Sequence, residues 1–419
     1  PIVCVVGHGA ESVKEHFTDI SYKGLSFCLQ SPQLGTGHAV MCAANDLKKF
    51  KGDVLILSGD VPLLEESTLK GFIKFHQRRA KERPVLSLLT VMVKDPSGYG
   101  RVIRNSDGEV EAVIEDSDAT IAEKKINEIN CGIYIASSEF LFSNIKKLGT
   151  ENKQKEYYLP DLITLARGKG KLVKALTHMD AGEVMGINNR VELAAAGTQM
   201  RERILNKLML GGVSIIDPAA TYIDSTVKVG ADSVVYPGVH LAGKTAIASG
   251  VTIEEGVRVE DSTVGSGTRV RRHTLIESSK VGKNNIVGPQ ARLRPGTELK
   301  DDVHIGNFVE IKNCRIGRGT KANHLTYLGD AEIGAGVNIG AGAMTCNYDG
   351  VKKYRTIIMD GAFIGSDSQL IAPVTIGKNA YVGSGSTITK DVPAGSLALS
   401  RPEQVVVKGW VDRKGIKKG

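Results

Sequence analysis

The chain has 419 residues, 41% hydrophobic and 24% charged, which is an ordinary globular composition with room for two or more domains. No apolar run approaches the roughly 20 residues of a membrane-spanning helix, and no signal-peptide pattern is present, so neither a membrane partner nor export is expected. Fifty-four basic against 46 acidic residues leave a net charge of +8. Nucleic acid is one partner for such a charge; small phosphate-bearing molecules are the reading preferred here.

From the first residue to about residue 190, strand and helix signals alternate. Apolar runs at Ile2–Val6, Val54–Leu57, Val85–Val93 and Gly132–Ala136 predict strands, and the stretches Gly37–Leu47 and Ser67–Ala80 predict helices. The alternation predicts an α/β domain of Rossmann-like type with a largely parallel sheet. Residues 191–210 are rich in helix formers and end at Gly211-Gly212, which predicts a linker helix over residues 191–212.

Beyond that helix the period changes to six. Val229, Val235, Leu241, Ile247, Ile253 and Val259 are six apart. So are Val281, Val287, Leu293, Leu299, Ile305 and Ile311, and again Ile358, Ile364, Leu370, Ile376, Val382 and Ile388. Six fits neither a helix nor one long strand; it fits a short strand plus a turn, repeated, with each apolar residue pointing into a narrow prism. Stacking then supplies the core that one rung cannot make alone. A parallel β-helix of roughly nine to ten coils is expected over residues 213–395, with a basic tail over 396–419. The register slips by one at Val259→Val264, Ile276→Val281 and Ile311→Ile316. Two segments, Arg318–Asp330 and Cys346–Thr356, break the pattern more strongly and read as inserted loops, where repeat proteins carry function.

Several residues have chemistry to offer. Asp60, in Leu57-Ser58-Gly59-Asp60, ends an apolar strand, where open α/β sheets bind ligands; it is either a Mg²⁺ ligand or a turn and N-cap aspartate. The loop Gln33-Leu34-Gly35-Thr36-Gly37 opens a helix and could cradle a base or phosphate. His324 sits beside a Gly-Asp turn and suits a general base, whereas His240 and His273 read as structural. Arg294 and Lys312 could grip a phosphate. Six cysteines without C-x-x-C spacing read as reduced thiols of a cytoplasmic protein.

With Gly98-Tyr99-Gly100-Arg101, Glu115, Glu128-Ile129-Asn130 and Gly186-Ile187-Asn188-Asn189-Arg190, the first half resembles the sugar-1-phosphate nucleotidyltransferases. It is most similar to the uridyltransferase half of the bifunctional N-acetylglucosamine-1-phosphate uridyltransferase / glucosamine-1-phosphate acetyltransferase family. The resemblance implies Mg²⁺ on Asp60 and Asn188, uracil contacts from Gln30, Gly35 and Thr36, nucleotide contacts around Ser58 and Gly59, and an amino-sugar pocket at Gly100, Glu115 and Asn130. The family's Gly-rich phosphate loop, L-x-x-G-x-G-T-x-M followed by Pro-Lys, has no copy here. It is expected upstream of Pro1, so weak or absent uridylyl transfer is expected of these 419 residues while acetyl transfer is intact.

The second half resembles the acetyltransferase half of the same family, almost residue for residue through Asn307–Gly350. That resemblance implies a left-handed β-helix assembled as a homotrimer. It implies His324 as base, Arg294 and Lys312 on the sugar phosphate, and Tyr327 and Asn338 at the sugar. Acetyl-coenzyme A falls to Ala341, Asn347, Tyr348, Ser366, Ser384 and Arg401. Ser384 stands where the family often has Ala, which a backbone contact tolerates. The implied reaction acetylates glucosamine-1-phosphate and joins the resulting N-acetylglucosamine-1-phosphate to UMP from UTP. The alternatives are a relative acting on another sugar-1-phosphate, a carbonic anhydrase-like metal protein and a non-enzymatic scaffold.

Overall fold

The computed structural model describes residues 1–17, 23–78 and 83–415, and its contacts divide the chain into Pro1–Gln199 and Met200–Gly419. The first unit runs β1 (Ile2–Val6), α1 (Ala10–His16), β2 (Leu25–Leu29), α2 (Thr36–Ala43), β3 (Asp53–Ile56), α3 (Glu66–Gln77) and β4 (Leu86–Met92). There follow β5 (Arg101–Arg104), β6 (Val110–Ile114), β7 (Glu128–Ser137), α4 (Ser138–Asn144), α5 (Asp161–Gly168), β8 (Val173–His178), α6 (Ala181–Val184) and α7 (Arg190–Leu210), which from Met200 on belongs to the second unit. The predicted strands are all present and the predicted helices lie within a few residues of their expected bounds; Ala80, the expected end of the second helix, falls outside the described residues.

The sheet is mixed rather than largely parallel. β3 and β4 both pair antiparallel with β7, while β4 pairs parallel with β8. Thus β3, β4 and β8 share one direction, as crossover connections require, and β7 runs against them. Alternate side chains of β4 and β7 serve two different cores. Leu86, Leu88, Tyr134 and Ala136 pack with Phe140, Leu141, Leu162 and Ile163 of α4 and α5, whereas Leu89, Val91, Ile133 and Ile135 pack with Phe72 of α3. Burial on both faces explains why β4 reads as a continuous apolar run.

The second unit is a three-sided parallel β-helix. Its short strands stack into sheets of ten, nine and eleven strands, each pairing with the strand one coil away. The six-residue series point inward: Val235, Ile253, Val270, Val287 and Ile305 are fully buried, as are Val259, Ile276, Leu293 and Ile311 on the ten-stranded sheet. The last rung, Leu397–Ala398, pairs with Tyr381–Val382. Leu205 of α7 is buried in the same core, beside Ile204, Leu208 and Met209.

The corners explain the register slips. Between the ten- and nine-stranded sheets, a step of five residues is turned by one non-glycine residue in the left-handed region: Asp261 (φ 47), Ser278 (φ 42), Asn313 (φ 50) and Asp330 (φ 49). Asp and Asn tolerate that conformation better than most residues. Asp330 marks a fourth slip, Leu328→Ile333, unnoticed in the sequence.

This corrects one expectation. Arg318–Asp330 is not an inserted loop but regular coil, with strands Lys321–His324 and Tyr327–Gly329 paired on both sides. The series continues through Ile316, Ala322, Leu328 and Ile333, all buried; Ala322 fills an inward position without looking like Val, Ile or Leu. Only Cys346–Thr356 is a true insertion, between strands Met344–Cys346 and Thr356–Ile358. His240 stacks on Tyr222 at 4.6 Å and His273 turns a corner at φ 56, both structural uses as expected.

Candidate functional site

In the first unit the chain folds the loop after β2 against residues 156–159. Gln30 donates from Nε2 to the Gly35 carbonyl at 3.0 Å and lies 3.2 Å from His38 Nδ1. The N–H of Leu159 donates to Thr36 Oγ1 at 3.1 Å, and that of Gly37 to the Tyr157 carbonyl at 2.7 Å. Gly35 has φ +96, and a Cβ there would come within 2.8 Å of Glu156 Cβ and the Tyr157 carbonyl, so glycine is required twice over. Glu156 and Tyr157 were not picked out from the sequence. Their only signal was the aromatic pair in Glu156-Tyr157-Tyr158 inside an otherwise polar stretch.

Gly100, Glu115 and Asn130 do come together. The Asn130 N–H donates to the Gly100 carbonyl at 2.9 Å, and a Cβ on Gly100 would lie 2.9 Å from Val113 Cγ1 and 3.2 Å from Glu115 Oε2. Burial raises the Glu115 carboxyl above the usual range, helped by Asp118, Asp161, Asp116 and Glu156. Arg101, fully buried, ion-pairs with Asp116 at 2.9 Å and ties β5 to the segment beside Glu115.

Asp60 and Asn188 are neighbours as well. The Ile187 N–H donates to the Asp60 carbonyl at 3.0 Å, and the Asp60 carboxylate lies close enough to Gly186 that a Cβ there would meet it at 3.0 Å. Both side chains are exposed, and each offers a hard oxygen, one from a carboxylate and one from an amide. That donor pair fits Mg²⁺, which keeps its other positions for water and phosphate. Ser58 and Gly59 lie on the same turn, where Ser58 Oγ approaches the Gly132 carbonyl at 3.4 Å.

In the second unit, stacking converts sequence period into columns. His324 occupies the second position of the corner between the eleven- and ten-stranded sheets. The same position one, two and three coils on is held by Ala341, Ser366 and Ser384. At about 4.8 Å per coil, this column runs roughly 14 Å from His324 to Ser384. Arg401 closes it, donating from Nη1 to the Ser384 carbonyl at 2.8 Å. Glycines precede the small residues for a reason: a Cβ on Gly340 would meet Ser366 N at 2.5 Å, and one on Gly365 would meet Ser384 N at 2.5 Å. The imidazole of His324 is exposed, and Asn338 stands beside Lys321 on the adjoining strand.

The next edge of the ten-stranded sheet carries the cations. Arg294 pairs with Glu310 at 2.8 Å, and Tyr327 lies over Gly329, where a Cβ would strike its hydroxyl. Lys312 is flanked by Lys353 of the insertion and by Arg294, and the neighbouring Lys353 ammonium is the chief reason its own is held below the usual range. Lys353 was not read from the sequence, because its place depends on an antiparallel bridge with Tyr348 across the insertion. Asn347 is buried and donates to Asp330, while Tyr348 is exposed and donates to the Gly350 carbonyl at 2.6 Å.

A nucleotidyltransferase-type sheet followed by a hexapeptide solenoid with an imidazole and a cationic edge defines a two-unit transferase. The comparisons agree with that class: a nucleotidyl transferase family profile matches residues 1–187, a bacterial transferase hexapeptide profile matches 355–390, and a GMPPB C-terminal domain profile matches 218–322. The bifunctional protein GlmU of Pelobacter propionicus is 48% identical over 410 residues, covering 98% of this chain and 88% of the relative. That of Syntrophotalea carbinolica is 50% identical, covering 98% and 87%, and that of Clostridium botulinum 44% identical, covering 99% and 89%. The chain belongs to the GlmU family of bifunctional proteins, and it is an enzyme with an acyltransferase and a nucleotidyltransferase half. Among the described residues, no helix is long and apolar enough to cross a membrane.

Proposed function

We propose that the chain transfers acetyl from acetyl-coenzyme A to the amine of glucosamine-1-phosphate. Its nucleotidyltransferase half carries the base, amino-sugar and metal positions of the step that joins the product, N-acetylglucosamine-1-phosphate, to UMP from UTP, giving UDP-N-acetylglucosamine and pyrophosphate. The observation that carries this reading is the corner column: one exposed imidazole at its foot, small residues and close backbone above it, and an arginine at its head. An extended cosubstrate of coenzyme A length fits along such a column, with its thioester at His324. The sugar phosphate belongs to Arg294, Lys312 and Lys353, and the sugar to Tyr327 and Asn338. Ala341, Asn347, Tyr348, Ser366, Ser384 and Arg401 contact acetyl-coenzyme A.

In the acetyl step the uncharged amine attacks the thioester carbonyl. His324 takes the amine proton as the C–N bond forms, and coenzyme A leaves as its thiol when the C–S bond breaks. Cations one and two coils away bind the phosphate without touching the reacting carbon, so they act on binding more than on the chemical step.

In the nucleotidyltransferase half, Gln30, Gly35 and Thr36 hold the base, and Gly100, Glu115 and Asn130 hold the amino sugar. Mg²⁺ on Asp60 and Asn188 neutralises phosphate charge when bound. The chain works as a homotrimer in the cytoplasm, the compartment that keeps six unpaired thiols reduced. Support for assembly comes from one outward row of the solenoid, where Phe363 stacks on Tyr381 at 5.2 Å and Leu397 is 64% exposed. In the trimer, residues of neighbouring copies complete each acetyl site, for example Tyr348 of one copy beside the His324–Arg401 column of another.

The test follows thiol release from acetyl-coenzyme A with glucosamine-1-phosphate as acceptor. His324→Ala should lower it about 10²–10⁴-fold, the usual size of a general-base contribution, and Asp60→Ala should leave it unchanged. Equal loss in both variants, or none in either, would overturn the assignment. Pyrophosphate release from UTP on the same preparation reads the other half, and light scattering reads the trimer.

A further inference from the structure

Asp330 belongs to a column of its own. The corner between the ten- and nine-stranded sheets carries Asn313, Asp330 and Asn347, one residue per coil. Their side chains are hydrogen-bonded in sequence: Asn313 Nδ2 donates to Asp330 Oδ1, and Asn347 Nδ2 donates to Asp330 Oδ2, each at 2.5 Å. The other corner carboxylates do simpler work; Asp261, for example, accepts the backbone N–H of Lys244 at 2.8 Å. Asp330 also stacks on the coil of Lys312, its backbone N–H donating to the Lys312 carbonyl at 3.0 Å, and the Lys353 and Lys312 ammonium groups act on its carboxylate. Burial alone would raise its carboxyl, but the two amide donors and the two ammonium groups together carry it below the usual range.

A carboxylate can only accept, so it selects one orientation of each amide. With one N–H of its NH₂ on Asp330, Asn347 keeps its side toward the carboxylate as donor, and Oδ1, its one side-chain acceptor, lies on the other side of the amide. Such an acceptor matches an N–H of the reactants: the sugar amine or an amide of the coenzyme's pantetheine arm. The same carboxylate sets one negative charge against the mutual repulsion of Lys312, Lys353 and Arg294.

We propose that Asp330 is a positioning residue for acetyl transfer. It fixes the Asn347 amide with its carbonyl oxygen outward, and it holds Lys312 and Lys353 together as the phosphate cradle. This rests on the acetyl-transfer reading above. It assigns Asp330 no contact with substrate.

The substitution Asp330→Asn tests it with the fold preserved, because Asn313 already turns the same corner one coil away at φ 50. An amide at position 330 matches only one of its two partners in the present orientation, so Asn347 turns over in part of the molecules. Lys312 also loses the carboxylate that favours its charged form. In the full chain, KM for glucosamine-1-phosphate should rise roughly tenfold, the size of one lost hydrogen bond to a charged group. The alkaline limb of activity should move to lower pH. The exchange Asp330→Asn with Asn347→Asp restores a donor facing a carboxylate and keeps the charge beside the lysines, and it should recover most of the loss. An unchanged KM and pH profile in Asp330→Asn would overturn the proposal. So would a loss that the exchange variant, with an unchanged melting temperature, does not recover. Absence of thiol release from the parent chain would instead count against acetyl transfer itself, and the positioning role would fall with it.

Discussion

The two units build their sites by opposite means. In the α/β unit the amino-sugar pocket draws Gly100, Glu115 and Asn130 from three strands and the segments joining them, and the loop at Gly35 leans on Glu156 and Tyr157, over 100 residues away. In the solenoid, His324, Ala341, Ser366 and Ser384 fall into line because each holds the same corner position in successive coils. A solenoid repeats its geometry, so a column of functional residues is a period in the sequence. A layered sheet has no such period, and its pocket depends on which strands become neighbours. The first kind of site should fail locally, and the second should fail through its supports.

The largest effect expected is on the imidazole. If the corner column carries the chemistry, His324→Ala removes acetyl transfer about 10²–10⁴-fold while the melting temperature stays unchanged, since His324 is exposed. A large drop in melting temperature would mean that the corner is structural and the local character assigned to it is wrong.

Next comes the backbone of the column. Gly365→Ala places a Cβ about 2.5 Å from Ser384 N, against backbone that cannot yield. It should cost about 1–3 kcal/mol of stability, as overpacking does, and weaken acetyl-coenzyme A binding by calorimetry. The sharper version compares it with Gly385→Ala, where open space surrounds the new Cβ and the cost is confined to the backbone at φ +71.

A smaller effect separates the units. Gly100→Ala drives a Cβ toward Val113 and Glu115 in the sheet pocket. Binding of N-acetylglucosamine-1-phosphate to that pocket should weaken roughly tenfold, by about 1.4 kcal/mol, with thiol release from acetyl-coenzyme A unchanged. A parallel loss of acetyl transfer would contradict the separate assignment of the two sites.

The smallest is a pH effect. The folded chain binds the Glu115 proton more tightly than the unfolded chain, whose carboxyl titrates near 4.5. The associated stability is full below that pH and falls as pH rises through the raised folded value. Glu115→Gln abolishes that fall. It should raise the melting temperature at pH 7 and leave it nearly unchanged at pH 4, read by differential scanning calorimetry. A gain of the same size at both pH values would mean that burial and the surrounding carboxylates do not act on Glu115 as described.

Much of this was legible beforehand for physical reasons. A narrow prism favours Val, Ile and Leu inward at fixed spacing, so the period of six determined the solenoid and its length, while the corner on which His324 stands was hidden by the small inward Ala322. The continuous apolar runs of the first unit determined its strands. What the sequence did not determine followed from packing. Strand direction in the sheet was decided by β7 pairing on both edges with strands that run against it. Ala322 kept the coil regular where the eye saw a loop, because at an inward position a methyl group is enough. Lys353 and Asp330 became part of the cationic edge only when the insertion folded back onto a corner that the coil had already set. The sequence fixes which face each residue prefers; only the tertiary structure decides which faces meet, because that choice depends on contacts between residues far apart along the chain.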